Sequence, residues 1–285
     1  MLLKLYKLLA GLATLAVVAG LLIFWLSYQP ANLLAVDFLD VGQGDAILIK
    51  TPAGQNILID GGPSSKIINQ LSENLAWWDR KIDLMILTHP HDDHVTGLIE
   101  VLKRYQVKQI LYTGVVHTGP NYLAWLEQVR EQKIKMIIID RPQTINLAKD
   151  CSLEIIYPRT SLLGREVNNL NNASIALKLV YGQTKFLLAG DIEAEVEQEL
   201  IKSGVDLTAQ VFKLNHHGSN SSNSQEFLEK IQPEFAVIEV GADNKFGHPS
   251  QRVLKRLERL KVKVLRTDQN GTIKFISNGQ TISLK

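Results

Sequence analysis

The chain has 285 residues, of which 45% are hydrophobic and 21% are charged, a composition typical of a packed globular protein and not of a disordered one. Its single cysteine, Cys151, excludes an intramolecular disulfide framework, so a zinc site would have to use histidine and carboxylate ligands. The formal charge of +2, from 31 basic and 29 acidic residues, excludes a generic polyanion binder, and nucleic acid would need a local basic patch.

The N-terminal segment is predicted to be a membrane anchor. Residues 8–26 carry no charge, and at about 1.5 Å per residue they nearly span a hydrocarbon core of ~30 Å. Because Lys4 and Lys7 precede this stretch, the positive-inside rule predicts a single pass through the cytoplasmic membrane, with an anchor over residues 1–30 and a domain over residues 31–285 on the extracytoplasmic side. A cleaved signal peptide and a buried soluble helix are the alternatives.

Short apolar strands separated by glycine-rich turns follow the anchor, at residues 34–39, 46–49 and 56–59. Asp60 ends the third strand, where its carboxylate could accept the second N–H of a metal-bound histidine or merely cap a turn. A helix is predicted over 67–78, a strand over 83–87 and a second helix over 96–105, with further strands near 110–112 and 136–139 flanking a helix over 122–132.

Three histidines and two aspartates fall within the six residues that follow the strand 83–87, in the sequence His-Pro-His-Asp-Asp-His at 89–94. A strand that ends at such a run brings its imidazoles and carboxylates together at one edge of the sheet, where cations such as zinc take nitrogen and oxygen ligands. The segment therefore predicts a metal site, with a solvated polar loop as the alternative.

The second half of the chain repeats this order of elements, with strands predicted at 153–157, 174–181, 184–188, 211–214 and 235–240 and helices at 193–203 and 225–231. Two such halves predict a pair of face-to-face sheets with helices outside. Asp191 ends one strand, His216 and His217 end another, and His248 precedes a helix for which Ser250 is a suitable N-cap. On that helix Arg252, Lys255, Arg256 and Arg259 form a basic stripe, which is either a track for phosphates or a solvated face.

The H-x-H-x-D-H spacing of residues 89–94 is similar to the signature of the metallo-β-lactamase superfamily. The segments 37–45, 244–249 and 266–273 narrow the resemblance to the soluble domain of ComEC/Rec2-type competence proteins. The resemblance covers the chain from about Leu33 to Lys285. It implies a metallo-β-lactamase-like αβ/βα four-layer sandwich with two divalent metal ions, zinc or alternatively manganese.

The resemblance also implies a ligand set. His89 and His91 would serve the first metal, Asp93 and His94 the second, and Asp191 would bridge the two. One histidine of the pair 216–217 would complete the second site, and His216 is predicted because it comes first off the strand and neighbouring strand residues point to opposite faces. Residues 168–174 contain asparagines and a serine where many family members have a third histidine, so the first site is expected to be under-coordinated.

Further roles are predicted for residues around this ligand set. Asp93, His217 and His248 are predicted to act on the substrate, and Asp60 and Asp45 to support the ligands. Five residues are predicted to contact the substrate: Lys213, Ser219, Asn244, Arg252 and Arg256.

The function implied is a membrane-anchored, extracytoplasmic metal-dependent hydrolase, a phosphodiesterase or nuclease that cleaves single- or double-stranded DNA. Because the chain has one candidate membrane helix, transport would require a separate DNA-uptake channel protein as partner. The alternatives are a cell-surface phosphodiesterase or esterase acting on wall or choline-type substrates, and a non-catalytic nucleic-acid-binding module that keeps the fold. A β-lactamase is a further alternative, because a fold does not fix a function.

Overall fold

The computed structural model describes residues 2–27 and 32–285, and within the first range it describes side chains at residues 4 and 6–22. The chain divides into two compact units, Met1–Asn32 and Leu33–Lys285. The first contains one helix, α1 (Leu2–Ser27). Within the described residues no helix meets the length and apolarity needed to cross a membrane. The predicted boundary between residues 30 and 31 lies outside the described residues.

The second unit is built on two large sheets. The first sheet, in the spatial order β17-β16-β1-β2-β3-β5-β7-β8, has eight strands. They are β1 (Leu34–Phe38), β2 (Ile47–Lys50), β3 (Asn56–Ile59), β5 (Leu84–Ile86), β7 (Gln109–Tyr112), β8 (Lys135–Ile138), β16 (Ile273–Ser277) and β17 (Ile282–Leu284). The short strands β4 (Lys81–Ile82) and β6 (Gln106–Val107) pair with each other.

The second sheet has seven strands in the order β15-β14-β13-β12-β11-β10-β9. They are β9 (Gln143–Ala148), β10 (Cys151–Tyr157), β11 (Ala176–Tyr181), β12 (Thr184–Leu188), β13 (Val211–Lys213), β14 (Phe235–Ile238) and β15 (Lys263–Arg266). The three strands from β13 to β15 run parallel to β12, so their carboxyl ends lie at one edge of the sheet. Asp191 and His217 follow two of these strand ends.

Helices cover the outer faces of both sheets. They are α2 (Lys66–Asn74), α3 (Asp92–Arg104), α4 (Pro120–Glu131), α5 (Ala194–Lys202), α6 (Gln225–Ile231), α7 (Gln251–Arg259) and the short α8 (Thr267–Asn270). One hydrophobic core lies between the sheets, where Phe38, Phe186 and Phe275 are buried. A second core joins the first sheet to α2, α3 and α4, and a third joins the second sheet to α5, α6 and α7. The predicted arrangement of two sheets flanked by helices is thereby confirmed.

Two helix boundaries differ from the prediction by four residues. The helix expected at residues 67–78 ends at Asn74. The helix expected to start at residue 96 begins at Asp92, inside the histidine-rich segment, with His91 in an extended conformation as its N-cap. The carboxylates of Asp92 and Asp93 fall in the first helical turn, where the helix dipole favours negative charge. Asp93 and His94 are therefore on a helix and not on a loop.

Candidate metal centre

The centre lies where β3 and β5 end side by side. These strands run in parallel, so Asp60 and Thr88 follow neighbouring carboxyl ends, and Thr88 donates its backbone N–H to Asp60 Oδ1 over 2.8 Å. The start of α3 packs tightly on the loop after β3, because a Cβ at Gly97 would lie only 1.9 Å from the carbonyl oxygen of Gly61. This close approach places His94 directly over Asp60.

His89 and His91 present two nitrogen atoms to a common point. His89 Nε2 lies 3.0 Å from His91 Nδ1. Two nitrogens bound at about 2.0–2.1 Å to one tetrahedral zinc are about 3.3 Å apart, so the observed separation suits a pair of ligands. The other nitrogen of His89, Nδ1, lies 3.1 Å from Thr88 Oγ1 and 3.2 Å from Ser174 Oγ. Burial, followed by the nearby His94, holds the pKa of His89 well below its usual value, so this imidazole is neutral and able to ligate.

A second group is formed by Asp93, His94 and His217, whose ligand atoms lie within 4.8 Å of one another. His94 Nδ1 lies 2.8 Å from Asp60 Oδ2, which leaves Nε2 directed into the centre. His217 Nε2 lies 3.2 Å from Asp93 Oδ2, and its Nδ1 lies 2.8 Å from the carbonyl oxygen of Glu239. Both imidazoles thus have one nitrogen bound by an acceptor behind them and the other facing the carboxylates.

Asp191 lies between the groups. Its Oδ2 is 3.3 Å from His94 Nε2 and 3.4 Å from His217 Nε2, and it also belongs to a set with His89 and His94. The backbone N–H of Asp191 donates to Ser174 Oγ over 3.1 Å, which ties this strand end to the residue that contacts His89. The structure therefore gives Asp191 the position that a carboxylate shared by two cations would need.

The centre has the electrostatics of a cation site. Burial opposes charge on His94, but the carboxylates of Asp191, Asp93 and Asp60 outweigh it and hold the pKa of His94 well above its usual value. In the same way, burial opposes charge on His217, and Asp191 and Asp45 raise its pKa to about 10. Without a metal the carboxylates thus keep protons on two imidazoles, and a divalent cation would displace those protons when it binds.

A test of fit supports metal binding. His94 Nε2 is fully buried and forms no well-aligned hydrogen bond among the described residues, with Asp191 Oδ2 facing it at 3.3 Å, so a cation between the two atoms would engage both. The facing donors are imidazole nitrogens and carboxylate oxygens, the set that zinc and manganese accept. Asp93, His94 and His217 could hold one ion, and His89 with Asp191 could hold a second. His91 lies beside His89 but, within the described residues, belongs to none of the ligand groups. Ser174 Oγ contacts His89 at Nδ1, the nitrogen that faces away from His91.

Behind the ligands lies a buried ionic cluster. Lys213 is fully buried and forms an ion pair with Asp45, and its Nζ is 3.5 Å from Asp191 Oδ1. Asp45 Oδ1 also lies 3.2 Å from His217 Nδ1, the ring nitrogen on the side away from Asp93. The prediction that Lys213 contacts substrate is wrong, because solvent does not reach this side chain. Lys213 instead balances the charge of two carboxylates from inside the protein.

Glu239 was missed by the sequence analysis. It is fully buried behind His217, and one of its carboxylate oxygens accepts the backbone N–H of Ala46 over 2.9 Å. Burial, followed by the charge of Asp45, raises the pKa of Glu239 well above its usual value. The available signal was a glutamate directly after the apolar strand Phe235–Ile238, where a charged residue is unexpected unless it has a partner.

The histidine pair adopts an unexpected backbone. Both His216 and His217 have positive φ, 49° and 53°, in the turn Asn215–Gly218 that follows β13. This turn directs His217 into the centre, whereas His216 Nδ1 lies 3.2 Å from Glu193 Oε1. Within the described residues His216 belongs to none of the ligand groups. The alternation expected of a strand does not apply here, because the strand has already ended at Lys213.

The other predicted substrate residues occupy several places. The ring of His248 is half-buried beside those of His216 and His217, with centroid distances of 5.4 and 6.5 Å. Asn244 is not available to substrate as predicted, because its side-chain amide bonds the backbone of Gly241 and His248. Ser219 is buried, and its hydroxyl lies 3.0 Å from Ser221 Oγ, within the same turn region. The basic residues of α7 line an open groove of about 520 Å³, with Arg252 exposed and Arg256 bonded to the carbonyl oxygen of Asn223.

The fold and this centre define a metal-binding αβ/βα sandwich. The family model of the metallo-beta-lactamase superfamily matches residues 39–241, and the chain belongs to that superfamily.

Competence proteins are among its relatives. It is 31% identical over 257 residues to "ComE operon protein 3" of Bacillus subtilis, covering 84% of this chain and 32% of that protein. It is also 31% identical over 262 residues to "Competence protein ComA" of Neisseria gonorrhoeae, covering 90% of this chain and 34% of that protein. These matches confirm the resemblance to ComEC/Rec2-type proteins, although the chain spans about a third of the length of these relatives.

Two solved structures show the same fold at low sequence identity. CmlA, a diiron β-hydroxylase from Streptomyces venezuelae, is 13% identical with a TM-score of 0.53, and the match covers 82% of this chain and 52% of CmlA. Igni18, a metallo hydrolase from Ignicoccus hospitalis, is 19% identical with a TM-score of 0.52, covering 85% of this chain and 98% of Igni18. Since one is a hydroxylase and the other a hydrolase, the fold leaves the reaction open.

Proposed function

We propose that the chain is a metal-dependent phosphodiesterase that cleaves DNA. The observation that carries the proposal is the position of Asp191, whose Oδ2 lies within 3.4 Å of both His94 Nε2 and His217 Nε2 and between two sets of ligand atoms. The similarity to competence proteins supports DNA as the substrate.

The residues of the chain prepare the centre for this chemistry. Asp60 accepts from His94 Nδ1, and the carbonyl of Glu239 with Asp45 accepts from His217 Nδ1, so that both Nε2 lone pairs face inward once the protons are lost. Two bound divalent ions would supply a hydroxide nucleophile near neutral pH and would polarise the phosphoryl oxygens.

His248 lies at the open side of the centre. Burial, followed by the nearby His216 and His217, lowers the pKa of His248 to about 4, so its imidazole is neutral. A neutral imidazole there donates its N–H to an oxygen of the phosphodiester and orients it.

The test uses the full chain, purified in detergent and loaded with zinc or manganese. It compares cleavage of a single-stranded oligodeoxynucleotide with cleavage of bis(p-nitrophenyl) phosphate. We expect both to be cleaved by the wild type and neither by Asp93→Ala or His94→Ala. Asp93 is the better probe because its side chain is 31% exposed, whereas His94 is fully buried. A folded Asp93→Ala variant with full activity would contradict the two-metal site, and circular dichroism checks the fold.

The same assays separate the alternatives. A non-catalytic nucleic-acid-binding module is favoured by one observation, the asparagines and serine of residues 168–174 where many family members have a third histidine. That module would bind the oligonucleotide and cleave neither substrate with either metal. A cell-surface phosphodiesterase acting on small wall or choline-type substrates would cleave only the chromogenic compound.

The location of the domain also stays a prediction. It rests on Lys4, Lys7 and the uncharged residues 8–26, which predict an extracytoplasmic domain held by an uncleaved N-terminal segment. Mass spectrometry of the protein extracted from membranes tests this prediction. A mature chain that begins near Asn32 would instead indicate a signal peptide, and a separate channel protein remains a proposed partner for DNA uptake.

A further inference from the structure

One aromatic side chain at the open side of the centre is directed to solvent. Phe246 is 70% exposed, although burial of a phenylalanine is normally favourable. Its ring is nearly parallel to that of His248, with 15° between the planes and 5.9 Å between the centroids. The ring of His248 in turn lies 6.5 Å from the ring of His217, at 30°. The three rings form a series from the metal centre to the surface.

The loop that carries Phe246 is held in this shape by Asn244. The amide nitrogen of Asn244 donates to the carbonyl oxygens of Gly241 and His248 over 2.9 and 2.8 Å. Its amide oxygen accepts the backbone N–H of His248 over 3.0 Å. The loop is thereby closed around one asparagine, and the flat face of Phe246 is presented without a change of backbone on binding.

A basic groove lies along α7, the helix that follows His248 in the chain. Ser250 caps α7, and the groove is lined by Gln225, Gln251, Arg252, Lys255, Arg256 and Arg259. Its lining contains four basic residues and, within the part of the chain that the structure describes, no acidic one. An exposed aromatic ring beside a positively charged groove is the combination with which proteins bind single-stranded nucleic acid, through stacked bases and a tracked backbone.

We propose that Phe246 is a stacking platform for an unpaired base, and that the centre takes a single-stranded polynucleotide. The base beside the scissile phosphate lies on Phe246, and the backbone continues along the groove of α7. This inference rests on the proposed phosphodiesterase activity and adds that the bound strand is unpaired. In a duplex the faces of internal bases are covered by their neighbours, so a paired strand cannot use the platform.

The test varies the base and the ring independently. One substrate is a short single-stranded oligodeoxynucleotide, and a second is the same chain with abasic residues at every position, which keeps the phosphates and removes the bases. An oligoribonucleotide of the same sequence shows whether the platform serves DNA, RNA or both. We expect wild-type kcat/KM to be about 5- to 100-fold higher for the chain with bases than for the abasic chain, the range that one stacked base contributes.

The variants then assign this difference to Phe246. Phe246→Ala should lower kcat/KM on the chain with bases by the same factor and leave the abasic chain within about twofold, whereas Phe246→Trp should retain the activity. Trp77→Ala is the matched control, because Trp77 is also an exposed aromatic residue, 78% accessible, but precedes the amino end of β5, opposite to the centre.

The outcomes separate this inference from the proposed function. Equal losses on both chains would show a structural role for Phe246, and no loss on either would show an idle surface residue. Each of these results overturns the platform while the phosphodiesterase activity stands. If the wild type cleaves neither oligonucleotide, the proposed activity on DNA itself has failed.

Discussion

The two histidine-bearing segments of the centre differ in how the backbone presents them. Residues 89–94 pass from the end of β5 directly into α3, so their side chains follow ordinary extended and helical conformations. His216 and His217 lie in a turn in which both residues have positive φ. The comparison shows that ligands can be assigned from spacing where the backbone is regular, and not where it turns through the left-handed region.

The ligands also differ in what supports them. His94 on α3 relies on Asp60, which follows β3 of the first sheet. His217 relies on Glu239, which follows β14 of the second sheet, and on Asp45, which precedes β2 of the first. The second metal group thus joins the two halves of the sandwich, and the pair His89–His91 belongs to one segment. Each of the following predictions tests a part of this contrast.

The largest effect on metal content and hydrolysis is expected when each of the two adjacent histidines is replaced by alanine. His217→Ala removes a nitrogen that faces both Asp93 and Asp191, so we expect loss of one metal ion. Hydrolysis should fall by more than about 100-fold, which exceeds the loss of about 10- to 100-fold that is usual when a residue supporting a metal ligand is replaced. His216→Ala is the control, since its imidazole contacts Glu193, and it should keep both ions. Elemental analysis of the purified variants measures this, and the reverse result would restore His216 as the ligand.

The next effect concerns the charge that lies behind both groups. Lys213→Met removes the buried ammonium from Asp45 and Asp191 and leaves their charge to the protonated imidazoles of His94 and His217. This is expected to lower the free energy of unfolding by up to about 3–5 kcal/mol in the metal-free protein. Lys103→Met removes an exposed partner of Glu100 and should cost no more than about 1 kcal/mol. Urea unfolding measures both variants. Similar small losses in the two would show that Lys213 is not a structural cation.

Much of this architecture could be predicted from the sequence. The strand predicted at 56–59 is confirmed, because the glycine-rich turns on both sides mark where it begins and ends. The predicted N-cap at Ser250 is also confirmed, since its hydroxyl accepts the backbone N–H of Val253. The start of α3 was placed four residues late, since Pro90 and the charged run resemble a loop. The burial of Lys213 could not be predicted, because its partners Asp45 and Asp191 lie far away in the sequence and meet it only through the packing of two sheets.

A smaller effect is expected from the carboxylate behind His94. Asp60→Asn keeps the shape of the side chain but replaces the acceptor of the His94 Nδ1 proton by a weaker one, so metal affinity should fall by about 10- to 100-fold. Asp92→Asn, in the first turn of the same helix but exposed and bonded to Asn121, is the matched control and should change affinity little. Competition with a chelator measures both variants. Unchanged affinity in Asp60→Asn would reduce Asp60 to a residue that only closes the turn with Thr88.

The smallest effect distinguishes the centre from the groove that leads away from it. Arg252 and Arg259 are exposed on α7, and Arg256 is already bonded to the backbone of Asn223, so the double variant Arg252→Gln/Arg259→Gln removes the free charges with little risk to the fold. Each phosphate that is no longer neutralised lowers the log–log slope of affinity against salt by about one, and we expect a decrease of about 1–2 for an oligonucleotide of any sequence.

The double variant Lys103→Gln/Arg130→Gln makes the same change of charge on α3 and α4 and should leave the slope unaltered. Cleavage of bis(p-nitrophenyl) phosphate should be nearly unchanged in both variants, because a small substrate reaches the histidines without extending along α7. A parallel loss on both substrates would show that the basic residues support the fold, and an unchanged slope would make them a solvated helix face.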